Sequence, residues 1–205
     1  MTDLLLIRHG QTDWNRDGRW QGQLDVPLNA HGLEQAAALA EALSIEPLDA
    51  IFTSDLRRAR QTAELLAAAT GAPVVEDRRL REIHLGHWQG LTQQEMSLAQ
   101  DEALVRFRAN PADAPPPEGE TVVEVQLRMQ AAVDDALQIH PRGRVAIVSH
   151  GLALAALKAS LLGLGFDTGW QRESANAEAE VFRLPASGDG VDHGWGRWQS
   201  AAPRP

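Results

Sequence analysis

Two short apolar segments, each followed by a histidine and a glycine, constrain the fold more than any other feature of the chain. The sequence LLLI-RHG occupies residues 4–10, and VAIV-SHG occupies residues 145–151. Four consecutive apolar residues predict a strand that is buried on both faces, as in parallel sheets covered by helices. Because ligands bind at the carboxyl ends of such strands, we expect the two strands to lie side by side and to place His9 and His150 over one pocket.

The rest of the chain alternates helix signals with strand signals. Further strands are predicted at residues 50–53, 73–75, 178–184 and about 195–199. Helices are predicted at residues 30–44, 55–69, 92–107, 121–140 and 151–162, the last of them apolar on nearly all sides. This alternation favours an α/β protein with three α/β/α layers, in which a mostly parallel central sheet carries helices on both faces.

The length of the chain fits a single domain that spans residues 1–205. Residues 110–118 hold four prolines and are incompatible with regular structure. We therefore interpret residues 92–120 as a small helical and loop insertion that covers the active site. Two polar loops, residues 11–28 and 80–90, are long enough to be functional, and the tail at residues 201–205 is expected to be frayed.

Charge and composition exclude several classes of partner. The net charge of −9 argues against nucleic acid or an anionic membrane as the main partner, but leaves a small anionic substrate open. The chain has no cysteine, so disulfides and thiol chemistry are excluded. It also lacks a run of about 20 apolar residues and the basic start of a signal peptide. We expect a cytoplasmic protein.

The predicted strand ends and loops collect residues that suit phosphoryl transfer. These candidates are Arg8, His9, Asn15, Arg58, Glu82 and His150. A neutral imidazole is a competent nucleophile near pH 7, and arginine forks match phosphate oxygens. A carboxyl group can protonate the departing oxygen and then activate water. The set is chemically complete without a metal, and no cofactor is expected.

Five ordered motifs resemble the histidine phosphatase superfamily, in its phosphoglycerate-mutase-like branch. They are LIRHGQTDWN at residues 6–15, QG at 21–22 with DVPL at 25–28, SDLRRA at 54–59, LRE at 80–82 with GHWQG at 86–90, and SHG at 149–151. The resemblance covers almost the whole chain. It implies that His9 is transiently phosphorylated and that Glu82 is the proton donor and then the base. The implied phosphoryl-binding residues are Arg8, Arg58, His150, Asn15, Gln21, Gly22 and Gly151.

Three activities remain open at this point. The first is hydrolysis of a small phosphomonoester, and the GHWQG segment resembles broad-specificity and glucosyl-3-phosphoglycerate phosphatases. The second is a cofactor-dependent phosphoglycerate mutase, although such mutases carry a Glu-Arg-His-Tyr-type segment after the acid and this chain has no tyrosine. The third is a non-catalytic protein that binds a phosphorylated ligand, which the presence of both His9 and Glu82 disfavours. The resemblance is also compatible with a homodimer, although no stretch identifies an interface.

Other polar and aromatic residues near these motifs have two interpretations each. Trp14, Trp20 and Trp88 either form an apolar wall for the organic part of the substrate or pack the functional loops. Arg19 and Arg81 are secondary candidates for a carboxylate or a second phosphate. His84 and His87 stand beside Glu82, but a zinc site needs three or four ligands and no partner set is evident, so no metal is expected.

Overall fold

The computed structural model of the chain describes residues 2–98, 102–112, 114–164, 174–184 and 199–201. Its central feature is one six-stranded sheet in the order β3-β2-β4-β1-β5-β6. The strands are β1 (Thr2–Arg8), β2 (Ala50–Thr53), β3 (Val74–Glu76), β4 (Gly143–Ser149), β5 (Ala179–Leu184) and β6 (Gln199–Ala201). The first four are parallel, and β5 and β6 add antiparallel strands beyond β1. The predicted mostly parallel sheet is confirmed.

Helices cover both faces of this sheet. They are α1 (Asp13–Arg16), α2 (Ala30–Leu43), α3 (Arg57–Thr70), α4 (Gln93–Leu98), α5 (Glu102–Ala109), α6 (Val122–Ile139) and α7 (Gly151–Leu161). Leu4 and Leu6 of β1 pack with α6 and α7, whereas Leu5 and Ile7 pack with α2 and α3. Side chains alternate between the faces of a strand, so an apolar run such as residues 4–7 supplies both cores. The predicted three layers are confirmed.

Several helix ends follow the local sequence signals. The Asn29 side chain accepts the Gly32 N–H at the start of α2, and Thr121 with Glu124 forms a capping box at the start of α6. The helix predicted at residues 55–69 begins two residues later, at Arg57, because Leu56 and not Ser54 occupies its N-cap position. The Ser54 hydroxyl instead accepts the Leu56 N–H and lies at the site described below.

Other predicted segments differ in detail or lie partly outside the described residues. In the helix predicted at residues 92–107, the structure describes α4 and α5, and residues 99–101 between them lie outside the described residues. The loop at residues 11–28 contains the short helix α1, which a capping box between Thr12 and Asn15 starts. Ala201 is paired with Val181 in the sheet, and residues 202–205 of the tail predicted to be frayed lie outside the described residues. The strand predicted at residues 195–199 lies mostly outside the described residues. Within the described part of the chain, no helix is both long and apolar enough to cross a bilayer.

Candidate active site

The carboxyl ends of β1 and β4 bring two histidines together. Arg8, the last residue of β1, is in register with Ser149, the last residue of β4. His9, the residue that follows β1, donates its backbone N–H to the Ser149 carbonyl at 3.0 Å. The His9 and His150 rings then lie with their centroids 5.1 Å apart and their planes inclined by 60°. The strand pairing expected from the two sequence endings is confirmed.

The Arg58 guanidinium lies between these two rings. Its Nε–H is shared by His9 Nε2 at 3.2 Å and His150 Nδ1 at 3.1 Å. Its terminal nitrogens donate to the carbonyls of Leu24 and Gly22, both at 2.8 Å. Gly22 reaches this position with a φ of 53°, in the left-handed region that glycine adopts readily. Arg58 enters from the first turn of α3 and is almost completely buried, so it is a fixed cation and not a surface arginine.

His9 is held in the tautomer that a nucleophile needs. Its Nδ1 lies 2.7 Å from the Gly10 carbonyl, which can only accept, so Nδ1 carries the proton and Nε2 keeps its lone pair. Burial lowers the pKa of His9 well below 6.5, and the charges of Arg58 and Arg8 lower it further. The imidazole is therefore neutral and nucleophilic at neutral pH.

His150 is the neutral partner of this pair. Its Nδ1 accepts from Arg58, so Nε2 carries the proton and donates to the Ser54 hydroxyl at 2.9 Å. Burial lowers the pKa of His150 well below 6.5, and the charge of Arg58 lowers it further. The site thus contains one fixed positive charge between two uncharged rings, which suits an incoming phosphate anion.

Glu82 is held by the start of α7. One carboxylate oxygen accepts the backbone N–H groups of Ile83 and Ala153, both at 2.9 Å, and the other accepts that of Leu152 at 3.2 Å. A helix N-terminus favours a negative group at this point. Burial lowers the pKa of Arg58 to about 10, and the nearby charge of Glu82 opposes that shift.

An ion pair between Arg128 and Glu120, which was not among the predicted site residues, fixes the loop of Glu82. Arg128 of α6 donates to the carbonyls of Arg79 at 2.7 Å, Arg81 at 2.6 Å and Glu82 at 3.0 Å. Glu120 accepts from Arg128 with both oxygens, at 2.9 and 3.0 Å. These three hydrogen bonds to backbone carbonyls restrain the short loop that carries Glu82.

A cavity of about 340 Å³ opens at this edge of the sheet. Seven of the nine predicted site residues line it: Arg8, His9, Asn15, Gln21, Gly22, Arg58 and Glu82. The remaining two are buried; His150 is linked to the cavity through Arg58, and Gly151 begins α7.

Asn15 lines the cavity, and Asn176 lies beside Asn15. The Asn15 side-chain oxygen accepts the Thr12 N–H at 3.0 Å, so the amide NH2 is the group that Asn15 can offer to a ligand. Asn176, which was not among the predicted site residues, donates to the His9 carbonyl at 3.0 Å. It therefore supports the nucleophile from the backbone side.

The opposite side of the cavity is mostly apolar. Trp14 and Trp20 line it together with Leu85 and Leu152. Trp20 also packs edge-on against Trp88, with ring centroids 6.1 Å apart. Trp88 itself is buried in the core, so it supports the wall and does not form it.

The two secondary arginine candidates have different surroundings. Arg19 lines the cavity, but its guanidinium already bonds to the Gly90 carbonyl and to Glu95 at 3.1 Å. Arg81 is absent from the cavity wall and makes a two-pronged ion pair with Asp55, with both contacts at 2.6 Å. No group of three or more histidine, aspartate or glutamate side chains is arranged to hold a metal in the described ranges. His87 contacts Glu118 at 3.1 Å.

Comparison with known proteins identifies the family. Residues 4–193 match the histidine phosphatase superfamily (branch 1), and the chain belongs to this superfamily. Its relatives with a sequence match include a probable phosphoglycerate mutase GpmB of Serratia proteamaculans, which is 35% identical over 198 residues and aligns over 97% of this chain and 88% of its own length.

Solved structures of the same fold include one that is named as a phosphatase. A mycobacterial glucosyl-3-phosphoglycerate phosphatase, solved with VO3, matches with a TM-score of 0.88 at 35% identity, covering 98% of this chain and 97% of that one. YhfR of Bacillus stearothermophilus matches with a TM-score of 0.86 at 34% identity, covering 98% and 96%. These similarities support a phosphatase enzyme, while the named relatives include both a mutase and a phosphatase.

Proposed function

We propose that this protein is a phosphomonoesterase that hydrolyses a small phosphorylated metabolite through a phosphohistidine at His9. The observation that carries the proposal is the neutral His9, whose Nε2 lone pair lies 3.2 Å from the Nε of a buried arginine. A phosphoryl oxygen is a stronger acceptor for the Arg58 N–H than an uncharged ring nitrogen. Phosphate binding would therefore redirect Arg58 to the substrate and release the Nε2 lone pair for attack.

The reaction then proceeds in two displacements. His9 Nε2 forms a bond to phosphorus as the bond to the leaving oxygen breaks, and the Glu82 carboxyl gives that oxygen its proton. A water molecule then attacks the phosphohistidine, Glu82 takes the water's proton, and inorganic phosphate leaves with His9 neutral again. Arg8, Arg58 and the amide of Asn15 bind the phosphoryl oxygens whose charge these steps redistribute.

The side chains that line the cavity favour hydrolysis over a mutase reaction. A phosphoglycerate needs a cation for its carboxylate as well as those for its phosphate. The further arginine on the wall, Arg19, is already paired with Glu95, and the rest of that side is tryptophan and leucine. Such a wall suits an uncharged organic group. The mutase remains the second candidate because of the 35% identity to the Serratia relative.

The direct test is turnover of p-nitrophenyl phosphate and 3-phosphoglycerate by protein treated with EDTA. From p-nitrophenyl phosphate we expect release of phosphate by the wild type, its loss in His9→Ala, and its retention in His31→Ala, a matched control at an exposed histidine on α2. Interconversion of 2- and 3-phosphoglycerate that depends on 2,3-bisphosphoglycerate, without phosphate release, would support the mutase. Activity lost to EDTA and restored by a divalent metal would contradict the metal-independent mechanism.

A further inference from the structure

The chain contains a single lysine, and it is buried. Lys158 stands in the middle of α7, whose sequence GLALAALKASL is otherwise apolar or small. Its side chain is only 2% exposed. Of the 19 lysine and arginine residues in the chain, the other eighteen are arginines. A lysine is rarely buried unless it is paired. No step of the proposed reaction uses it.

The partners of Lys158 connect it to the active site. Its Nζ donates to the Ser174 hydroxyl at 2.9 Å and to Glu180 at 2.6 Å, and the same hydroxyl donates to Glu180 at 2.6 Å. The Ser174 carbonyl accepts the Nη1–H of Arg8 at 2.7 Å. One residue therefore lies between the buried ammonium group and an arginine on the wall of the cavity.

The segment that begins at Ser174 also holds the backbone at the nucleophile. Ala177 donates its N–H to the Arg8 carbonyl at 3.0 Å, and Arg8 donates its own to the Glu178 carbonyl at 3.2 Å. Asn176 donates to the His9 carbonyl at 3.0 Å. The position of this segment thus sets where the Arg8 guanidinium and the His9 backbone lie.

We propose that Lys158 is a positioning residue for phosphate binding: through Ser174 it fixes the carbonyl that orients the Arg8 guanidinium. The inference rests on the proposed function, since it assigns Arg8 to the phosphoryl group. An arginine that keeps its charge but loses its fixed orientation binds an anion less well in the ground state and the transition state alike. Loss of such uniform binding raises KM while kcat stays the same.

The alternative is that Lys158 and Glu180 form an ion pair that matters only for stability. Replacing a buried ion pair by apolar residues is often neutral for folding, so stability alone does not separate the two roles. Phosphate affinity does separate them, because a purely structural pair leaves it unchanged once the protein is folded.

The test compares Lys158→Met and Ser174→Ala with Arg183→Met. The control removes another ion pair of β5, that of Arg183 with Asp3 at 3.1 Å, which has no link to Arg8 in the contacts described above. For Lys158→Met we expect KM and the inhibition constant of inorganic phosphate to rise together by about tenfold, with kcat unchanged. Ser174→Ala should change both in the same direction by less, and the control should change neither.

Lysine labelled with 15N at Nζ provides a second measurement, because a single lysine gives a single side-chain signal. We expect this signal to shift when the folded wild type is saturated with inorganic phosphate. An unchanged phosphate affinity in Lys158→Met would overturn the inference. If Lys158→Met does not fold, an unchanged phosphate affinity in Ser174→Ala would overturn it. A wild type that binds no phosphate would instead overturn the proposed function, and this inference with it.

Discussion

The neutral, buried state of both histidines makes the stability of the protein depend on pH in a way that can be measured. The folded-state pKa values of His9 and His150 lie well below 6.5, chiefly because of burial and then the charge of Arg58. As the pH falls, the unfolded chain therefore takes up protons before the folded chain does. The stability from this source is complete above about pH 6.5 and is lost progressively below it, down to the folded-state pKa.

The expected loss follows from the number of protons. Each histidine that is neutral when folded and charged when unfolded costs about 1.4 kcal/mol per pH unit. Between about pH 6.5, where the unfolded histidines are half protonated, and about pH 5, His9 and His150 together should cost about 3 kcal/mol if both stay neutral in the folded state. In His150→Asn the same interval should cost about half as much, because one titrating group is gone.

The assay is urea unfolding of the wild type and His150→Asn at several pH values between about 7.5 and about 5. Comparing the two proteins cancels the contribution of the titrating groups that they share. Equal pH dependence in the two proteins would refute the conclusion that His150 is uncharged in the folded state.

Three further substitutions test other parts of the site. Glu82→Gln should lower kcat/KM for an alkyl phosphate by about 100-fold or more, and kcat/KM for p-nitrophenyl phosphate much less, because a good leaving group needs no proton. Equal losses of kcat/KM for the two substrates would refute the acid role. Arg128→Met should lower kcat by about tenfold, because the carbonyls around Glu82 lose their common donor; unchanged steady-state kinetics in the folded variant would contradict that. Gly10→Ala should destabilise by about 1–3 kcal/mol, because its Cβ would lie 2.4 Å from the Gly32 carbonyl oxygen; an unchanged urea midpoint would contradict the close packing.

Apolar runs and strand endings predicted the part of the fold that matters for the site. The two four-residue runs could only be buried strands, and parallel pairing was enough to predict that His9 and His150 meet. The predictions that were wrong concern helix ends, where two neighbouring residues can start the helix at similar free energy. Ser54 has the chemistry of an N-cap, but its hydroxyl also accepts a hydrogen bond from His150 Nε2, and a single sequence gives no sign of that distant contact.

Residues that act through other residues were harder to predict. Arg128 stands on α6 among ordinary helix residues, and its three carbonyl acceptors are fixed only by tertiary packing. Lys158 did carry a signal, because a lone lysine interrupts an apolar helix in a chain that otherwise uses arginine. That pattern indicates a buried partner but does not say which one.

The covalent intermediate at His9 is the central claim, and it can be trapped. Glu82→Gln should accept the phosphoryl group of p-nitrophenyl phosphate but activate water poorly, so the phosphoenzyme should accumulate. Quenching in alkali, which phosphohistidine survives, followed by peptide mass mapping should find one phosphoryl group on the peptide that contains His9 and none in Glu82→Gln that also carries His9→Ala. Steady turnover by the wild type with no phosphorylated peptide in Glu82→Gln, or with the phosphoryl group on another residue, would contradict the account.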